Sequence, residues 1–230
     1  KNKYFFPLLG VILFVTLLGA IAFGAVSIRP DEMVSSIKHF FQGQRPANIY
    51  EAVFIQIRLP RVLLCAVTGA ILALSGVLMQ GLFRNPMVEP GLAGTSSGAA
   101  FGASVVFVLS SSFSPELKIW ANTFLIPVMA FAGGLLATFI VYTLARNAKT
   151  VSIVSLLLVG IAVNAVGLSG TGFMSYIARD PQARDITFWN LGTFARATWT
   201  QFFITASVAT LIFLYAMRFS KQLNALLLGE

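Results

Sequence analysis

With 230 residues, 57% of them hydrophobic and only 10% charged, and a mean hydropathy of +0.83, the chain has too little polar side chain to coat a water-soluble globule, so lipid is the solvent for most of it. The net charge of +8 points to a membrane rather than to nucleic acid, because the basic residues fall in the segments between long uncharged stretches. The single cysteine, Cys65, lies inside one of those stretches, which rules out an internal disulfide and a cysteine-built metal site.

Six uncharged stretches follow one another, at 4–28, 62–83, 90–115, 119–145, 150–178 and 197–217. Each exceeds the roughly 20 residues that a helix rising about 1.5 Å per residue needs to cross the hydrocarbon core. They are continuously apolar rather than alternating, which speaks against barrel strands, and backbone in lipid must satisfy its own hydrogen bonds. The expected fold class is therefore all-α integral membrane, with six transmembrane helices.

The first stretch, preceded by Lys1 and Lys3 and containing Ala20-Ile21-Ala22, also has the outline of a secretory signal peptide. Its length and the five stretches behind it favour a lipid-facing span. Residues 29–60 form the longest polar segment and carry the lone histidine, His39, which has no second metal ligand at a useful spacing and reads as solvated. Arg58 and Arg61 then head the second span. An elbow, Arg84-Asn85-Pro86 to Glu89-Pro90-Gly91, leads into the third.

The third span is built from Gly, Ala, Ser and Thr, with Gly94, Gly98 and Gly102 on one face, so it is expected to be buried among helices. The fourth repeats the spacing at Ala130, Gly134 and Thr138. The fifth carries Gly160 and Gly167 with Asn164 near its middle; an asparagine there must face a partner helix or an aqueous pathway, and both readings stand. In residues 175–200, Pro181 interrupts the helix above, Asp185 is a candidate cap for a short helix through Trp189, and Trp189 and Trp199 are interfacial rings. A half-inserted helix at the outer surface is expected there.

The sequence holds no G-x-x-x-x-G-K-[ST], no H-E-x-x-H, no carboxylate pair within a span and no nucleophile beside a base, so an enzyme is not expected. No span carries an Asp, Glu, Lys, Arg or His, which disfavours the remaining alternative from this class, an ion-coupled secondary transporter. A structural scaffold would explain the helices but not the arginine pair. Six helices with small-residue faces and no internal ion site point to a pathway driven by another subunit.

The run Arg58-Leu59-Pro60-Arg61, with Ala73-Leu74-Ser75-Gly76, Gln80, Asn85-Pro86, Glu89-Pro90-Gly91 and Gly94-x-Ser96-x-Gly98, resembles the FecCD-type permease family of ABC importers. The resemblance continues through Leu156-Leu157-Leu158-x-Gly160 and Thr187-Phe188-Trp189-x-x-Gly192 to Leu223-Asn224-x-Leu226-x-Leu228-Gly229-Glu230. It implies a homodimer with roughly ten helices per subunit, two cytoplasmic ATP-binding subunits, a periplasmic substrate-binding protein, and no cofactor held permanently. It also implies the bacterial inner membrane with the amino terminus cytoplasmic. Residues 1–230 are then a single permease domain that lacks the last helices of the family pattern.

With that topology Lys1, Lys3, Arg84, Arg146, Lys149, Arg218 and Lys221 face inward, in short loops of high basic density. The same resemblance assigns roles. Arg58 and Arg61 match arginines that dock the binding protein, as exposed guanidiniums offering forks to carboxylates. Ser152, Ile153 and Val154 match a cytoplasmic gate at the start of the fifth span, with Asn164 further along the pathway. Leu223, Asn224, Leu228, Gly229 and Glu230 match the start of the ATPase contact. The segment with Tyr176, Arg179, Arg184 and Trp189 looks most like that of haem importers, where arginines attract propionates and aromatics pass the macrocycle. Haem is thus the expected cargo, with ferric siderophore or cobalamin as alternatives. Met79, Met87 and Met174 read as filler.

Overall fold

The computed structural model of the chain describes residues 3–24, 26–43, 46–147, 150–151 and 153–228. Its helices, in chain order, are α1 (Phe5–Ala22), α2 (Pro30–Phe41), α3 (Ile49–Val53), α4 (Leu59–Phe83), α5 (Thr95–Leu109), α6 (Pro115–Trp120), α7 (Ile126–Ala145), α8 (Ile153–Ile177), α9 (Asp180–Leu191), α10 (Trp199–Met217) and α11 (Ser220–Leu228). The one extended feature among the described residues is an antiparallel pairing of Arg146–Asn147 with Thr150–Val151. The all-helical expectation holds.

Among the described residues, five helical stretches are long and apolar enough to cross a membrane: Phe5–Ala22, Ile49–Phe83, Pro115–Ala145, Ile153–Ile177 and Trp199–Met217. The third expected span departs from the other five. It is split into a 3₁₀ turn at Pro90–Ala93, a left-handed Gly94 (φ 80°), the 15-residue α5 and a second 3₁₀ turn at Ser110–Ser112. Alone, α5 covers about 22 Å. The break is local chemistry: Pro90 opens a new turn, and only a residue without Cβ takes the conformation of Gly94 cheaply.

The second and fourth spans start earlier than their apolar cores. In each a π-turn joins two helical pieces, at Phe54–Arg58 and at Ala121–Leu125, and in each a proline follows at the second residue, Pro60 and Pro127. A proline inside a helix lacks the N–H for the i−4 carbonyl and collides with it. Here Leu59 and Ile126 already bond back five residues, to the carbonyls of Phe54 and Ala121, so the ladder has widened before the ring arrives. Residues 29–60 are accordingly not an open polar loop: they contain α2, α3 and this junction.

After α8, Pro181 sits in the first turn of α9 rather than ahead of a helix capped at Asp185. The first turn needs no N–H from it, so α9 begins at Asp180.

Two compact units emerge, with their boundary inside α4: Lys1–Leu74 with Phe194–Ser220, and Ser75–Thr193 with Lys221–Glu230. The first is centred on Ile28, Phe54 and Ile55, with Ile21, Met33, Val53 and Leu59 packed around them. The second places α5 against α7, α8 and α9, with Ala103, Val106, Phe107, Ile126, Ala130 and Ile186 at its core.

Candidate functional site

Arg58 closes the π-turn at Phe54–Arg58, and its side chain is turned inward, 8% exposed. Its Nη1 donates to the carbonyls of Ile21 at 2.9 Å and Ala22 at 2.8 Å, and its Nη2 donates to the carbonyl of Val26. The last carbonyls of a helix have no partner within the helix, and their partial negative charge favours a cation. Five donors on a planar fork serve several carbonyls at once, which an ammonium does less well. Gly24 makes room, since a Cβ there would lie 2.6 Å from Arg58 Nη2. The exposed guanidinium expected at position 58 is therefore corrected: its donors are spent on the end of α1.

Arg61, one helical turn on, is exposed and donates from Nη2 to the Ala195 carbonyl at 2.9 Å. Both arginines line an open cavity of ≈ 200 Å³ with Ala20, Phe23, Gly24 and Ile57. Arg61 keeps part of its side chain open to its surroundings; Arg58 does not.

Asn164 is committed on both sides of its amide. Its Nδ2 donates to the Gly91 carbonyl at 2.9 Å, and its Oδ1 accepts from Ser97 Oγ at 2.6 Å. One turn earlier, a Cβ on Gly160 would collide with the Leu92 carbonyl. Of the two readings open for Asn164, these bonds supply the one in which it ties α8 to the start of the third span. Asn164→Leu leaves the Gly91 carbonyl with the Gly94 N–H and the Ser97 hydroxyl with the Gly94 carbonyl, a loss of about 0.5–1.5 kcal/mol for each bond removed. Thermal unfolding in detergent reads it, and an unchanged midpoint removes the strut.

The remaining expected positions are placed as follows. Ser152, Gly229 and Glu230 lie outside the described residues. Ile153 and Val154 are exposed in the first turn of α8. Tyr176 is exposed near the end of α8, and Arg179 precedes α9 as its N-cap. Arg184 and Trp189 are both exposed on α9 but five residues apart, about 140° around the helix, so they do not share a face. Leu223 of α11 packs toward Gly81 of α4, with its Cδ2 3.6 Å from where a Cβ would stand; Asn224 is exposed, and Leu228 ends the helix.

Ser97 and Gly24 were not anticipated as functional. Ser97 stood as an unread position inside the Gly94-x-Ser96-x-Gly98 motif, and Gly24 follows an apolar run that gives no sign of the arginine above it. Among the described residues no group of three or more His, Cys, Asp or Glu side chains comes together to hold a metal.

The chain matches, over residues 12–230, a family model described as the FecCD transport family. It is 39% identical over 178 residues to the hemin transport system permease protein HmuU of Yersinia pestis, covering 77% of this chain and 52% of that one. It is 34% identical over 223 residues to the vitamin B12 import system permease protein BtuC of Klebsiella pneumoniae subsp. pneumoniae, covering 96% and 60%. Its fold superposes with a TM-score of 0.72 at 26% identity on an inward-facing metal-chelate type ABC transporter, over 95% of this chain and 61% of that one. The chain thus spans between half and two thirds of the length of these relatives.

Proposed function

The chain belongs to the FecCD transport family, and on that premise we propose that it is part of the membrane permease of an ABC importer that moves haem inward, driven by ATP hydrolysis on separate subunits. The observation that carries this reading is the match of nearly the whole chain to a transport family, joined to uncharged stretches that hold no Asp, Glu, Lys, Arg or His. Spans of this kind offer no site for a coupling proton or cation, so the driving force has to enter from outside the lipid.

Haem as cargo is supported by the hemin permease among the relatives. It is supported further by the exposed Tyr176, Arg179 and Arg184, which supply cations for propionates and an aromatic face for a macrocycle. Cobalamin is the second reading, favoured by the vitamin B12 permease that aligns with more of this chain.

In the assembly we propose, two copies of the permease stand in the bacterial inner membrane with cytoplasmic amino termini. Two ATP-binding subunits lie below, and a periplasmic binding protein docks above. Arg61 takes a carboxylate of that binding protein. Ser152, Ile153 and Val154 form the inner gate, and residues 223–230 begin the ATPase contact.

The test is uptake. The full-length protein is reconstituted with its ATPase and binding protein in liposomes and offered haem, a ferric siderophore and cobalamin in parallel. ATP-dependent accumulation of haem is expected to lead. Preference for cobalamin transfers the cargo to the second reading, and no ATP-dependent uptake of any chelate overturns the importer.

A further inference from the structure

The helix α2 is amphipathic in a reversed sense. Its polar residues turn toward the protein: Ser36 is 0% exposed and Ser35 and His39 both reach Glu51, itself 3% exposed. The Glu51 carboxylate accepts from Ser35 Oγ at 3.2 Å and from the Ala47 N–H at 2.8 Å, and lies 3.2 Å from His39 Nδ1. These three contacts bind the Glu51 side chain to the polar face of α2.

On the opposite side, Val34, Ile37 and Phe41 are 56%, 43% and 83% exposed. At about 100° per residue these three positions fall within about 60° of one another, and the Ser35, Ser36 and His39 face lies across the helix from them. A helix in water buries its apolar stripe and exposes its polar one. In α2 the arrangement is the other way round, with every inward polar group named above given a partner.

What covers the stripe is indicated by its neighbours in the same unit. The span α1, which buries none of its residues, ends eight residues before α2 starts. At the other end of α2, Phe40 stacks on Trp199 at a ring separation of 5.3 Å, and the Trp199 indole N–H donates to the Ile55 carbonyl at 2.9 Å. A tryptophan at the first residue of a membrane span marks the level of the headgroups. Lys38 is exposed on the flank of α2, where a long cationic stem is placed to reach phosphates, while Arg29, the N-cap of α2, pairs with Asp31 at 3.3 Å.

We propose that α2 is an interfacial helix, lying in the boundary between headgroups and acyl chains with Val34, Ile37 and Phe41 immersed in lipid, and that Glu51 locks its roll angle. Such a helix fixes the depth of the arginine junction at residues 58–61 relative to the bilayer.

The experiment uses the full-length protein in nanodiscs of mixed zwitterionic and anionic lipid, with Cys65→Ser as background and a nitroxide at Val34→Cys, Ile37→Cys or Gln42→Cys. The ratio of oxygen collisions to collisions with a water-soluble nickel chelate is expected to be several-fold higher at positions 34 and 37 than at 42. Adding Glu51→Gln is expected to lower that ratio at 34 and 37 as α2 rolls. Equal ratios at all three positions mean water outside the stripe and overturn the proposal. Exclusion of both reagents means a protein cover, such as a second copy or the binding protein, and overturns it equally. Should labelling perturb folding, the unmodified protein is treated with a membrane-partitioned carbene precursor. Modification within residues 33–41 supports the interfacial position; modification confined to the spans refutes it. Neither readout depends on transport.

Discussion

Gly98→Ala and Gly102→Ala are each expected to lower the thermal midpoint sharply and to cut the yield of folded protein, although alanine is the best helix former and the change adds a single methyl. The reason is the distance between α5 and α7. A Cβ at Gly98 would meet the Gly133 carbonyl and lie 2.5 Å from the Ala137 Cβ; at Gly102 it would meet the Met129 carbonyl. The reciprocal change, Gly133→Ala, meets the Gly98 carbonyl. These obstacles are backbone, so no rotamer change relieves them and the helices must separate along the crossing. Overpacking costs typically about 1–3 kcal/mol when side chains can shift, and a backbone obstacle puts the cost at or above the top of that range. Membrane helices gain little from hydrophobic association with one another, so close packing is what holds the crossing.

The control lies in the same unit. Gly172→Ala faces open space and is expected to be neutral, or stabilising by about 0.5–1 kcal/mol through helix propensity. Thermal unfolding of the three variants side by side decides it: if Gly98→Ala and Gly172→Ala melt together, the close crossing is wrong.

That crossing shows what the sequence discloses. Gly94 proved to be the left-handed residue ahead of α5, but the register of Gly98 and Gly102 was legible because small residues four apart must share a helix face. Its partner was not. The spacing Ala130, Gly134, Thr138 pointed to one strip of α7, whereas the tightest approach uses Gly133 and the Met129 carbonyl; a Cβ on Gly134 would lie 3.1 Å from the Thr95 carbonyl oxygen. Periodicity finds a face without saying which neighbouring row of it touches. The span limits were similarly half visible. Apolar runs located the helices, but hydropathy is blind to a widened ladder, so the helical residues ahead of Pro60 were missed, and the span through Pro127 was expected to start at residue 119 rather than at 115. The amphipathic α2 was hidden in a segment that averages polar, because its stripe of Val34, Ile37 and Phe41 is diluted by the Glu51-bound face. Arg58 failed for a different reason: its acceptors at Ile21, Ala22 and Val26 are 32–37 residues away, and nothing local to RLPR announces them.

The two arginines of that motif are therefore expected to separate by experiment, though they sit one turn apart. Arg58→Ala strips the partner from carbonyls at the end of α1, and hydrogen bonds to a charged group are worth about 1.5–3 kcal/mol each. Its primary effect is a lower thermal midpoint. Arg58→Lys is expected to recover only part of the loss, because one ammonium cannot reproduce a fork that reaches three carbonyls. Arg61→Glu is expected to leave the midpoint nearly unchanged, since its one bond to the Ala195 carbonyl is exposed. In the importer reading, its effect falls on capture of the binding protein: about tenfold weaker association, mostly through a slower on-rate, with a shallower dependence on ionic strength. Surface binding at several salt concentrations, paired with thermal unfolding, reads both quantities on the same preparations. If Arg58→Lys alters the salt dependence of capture at an unchanged midpoint, then Arg58 faces the binding protein after all, and its contacts with α1 describe only the undocked state.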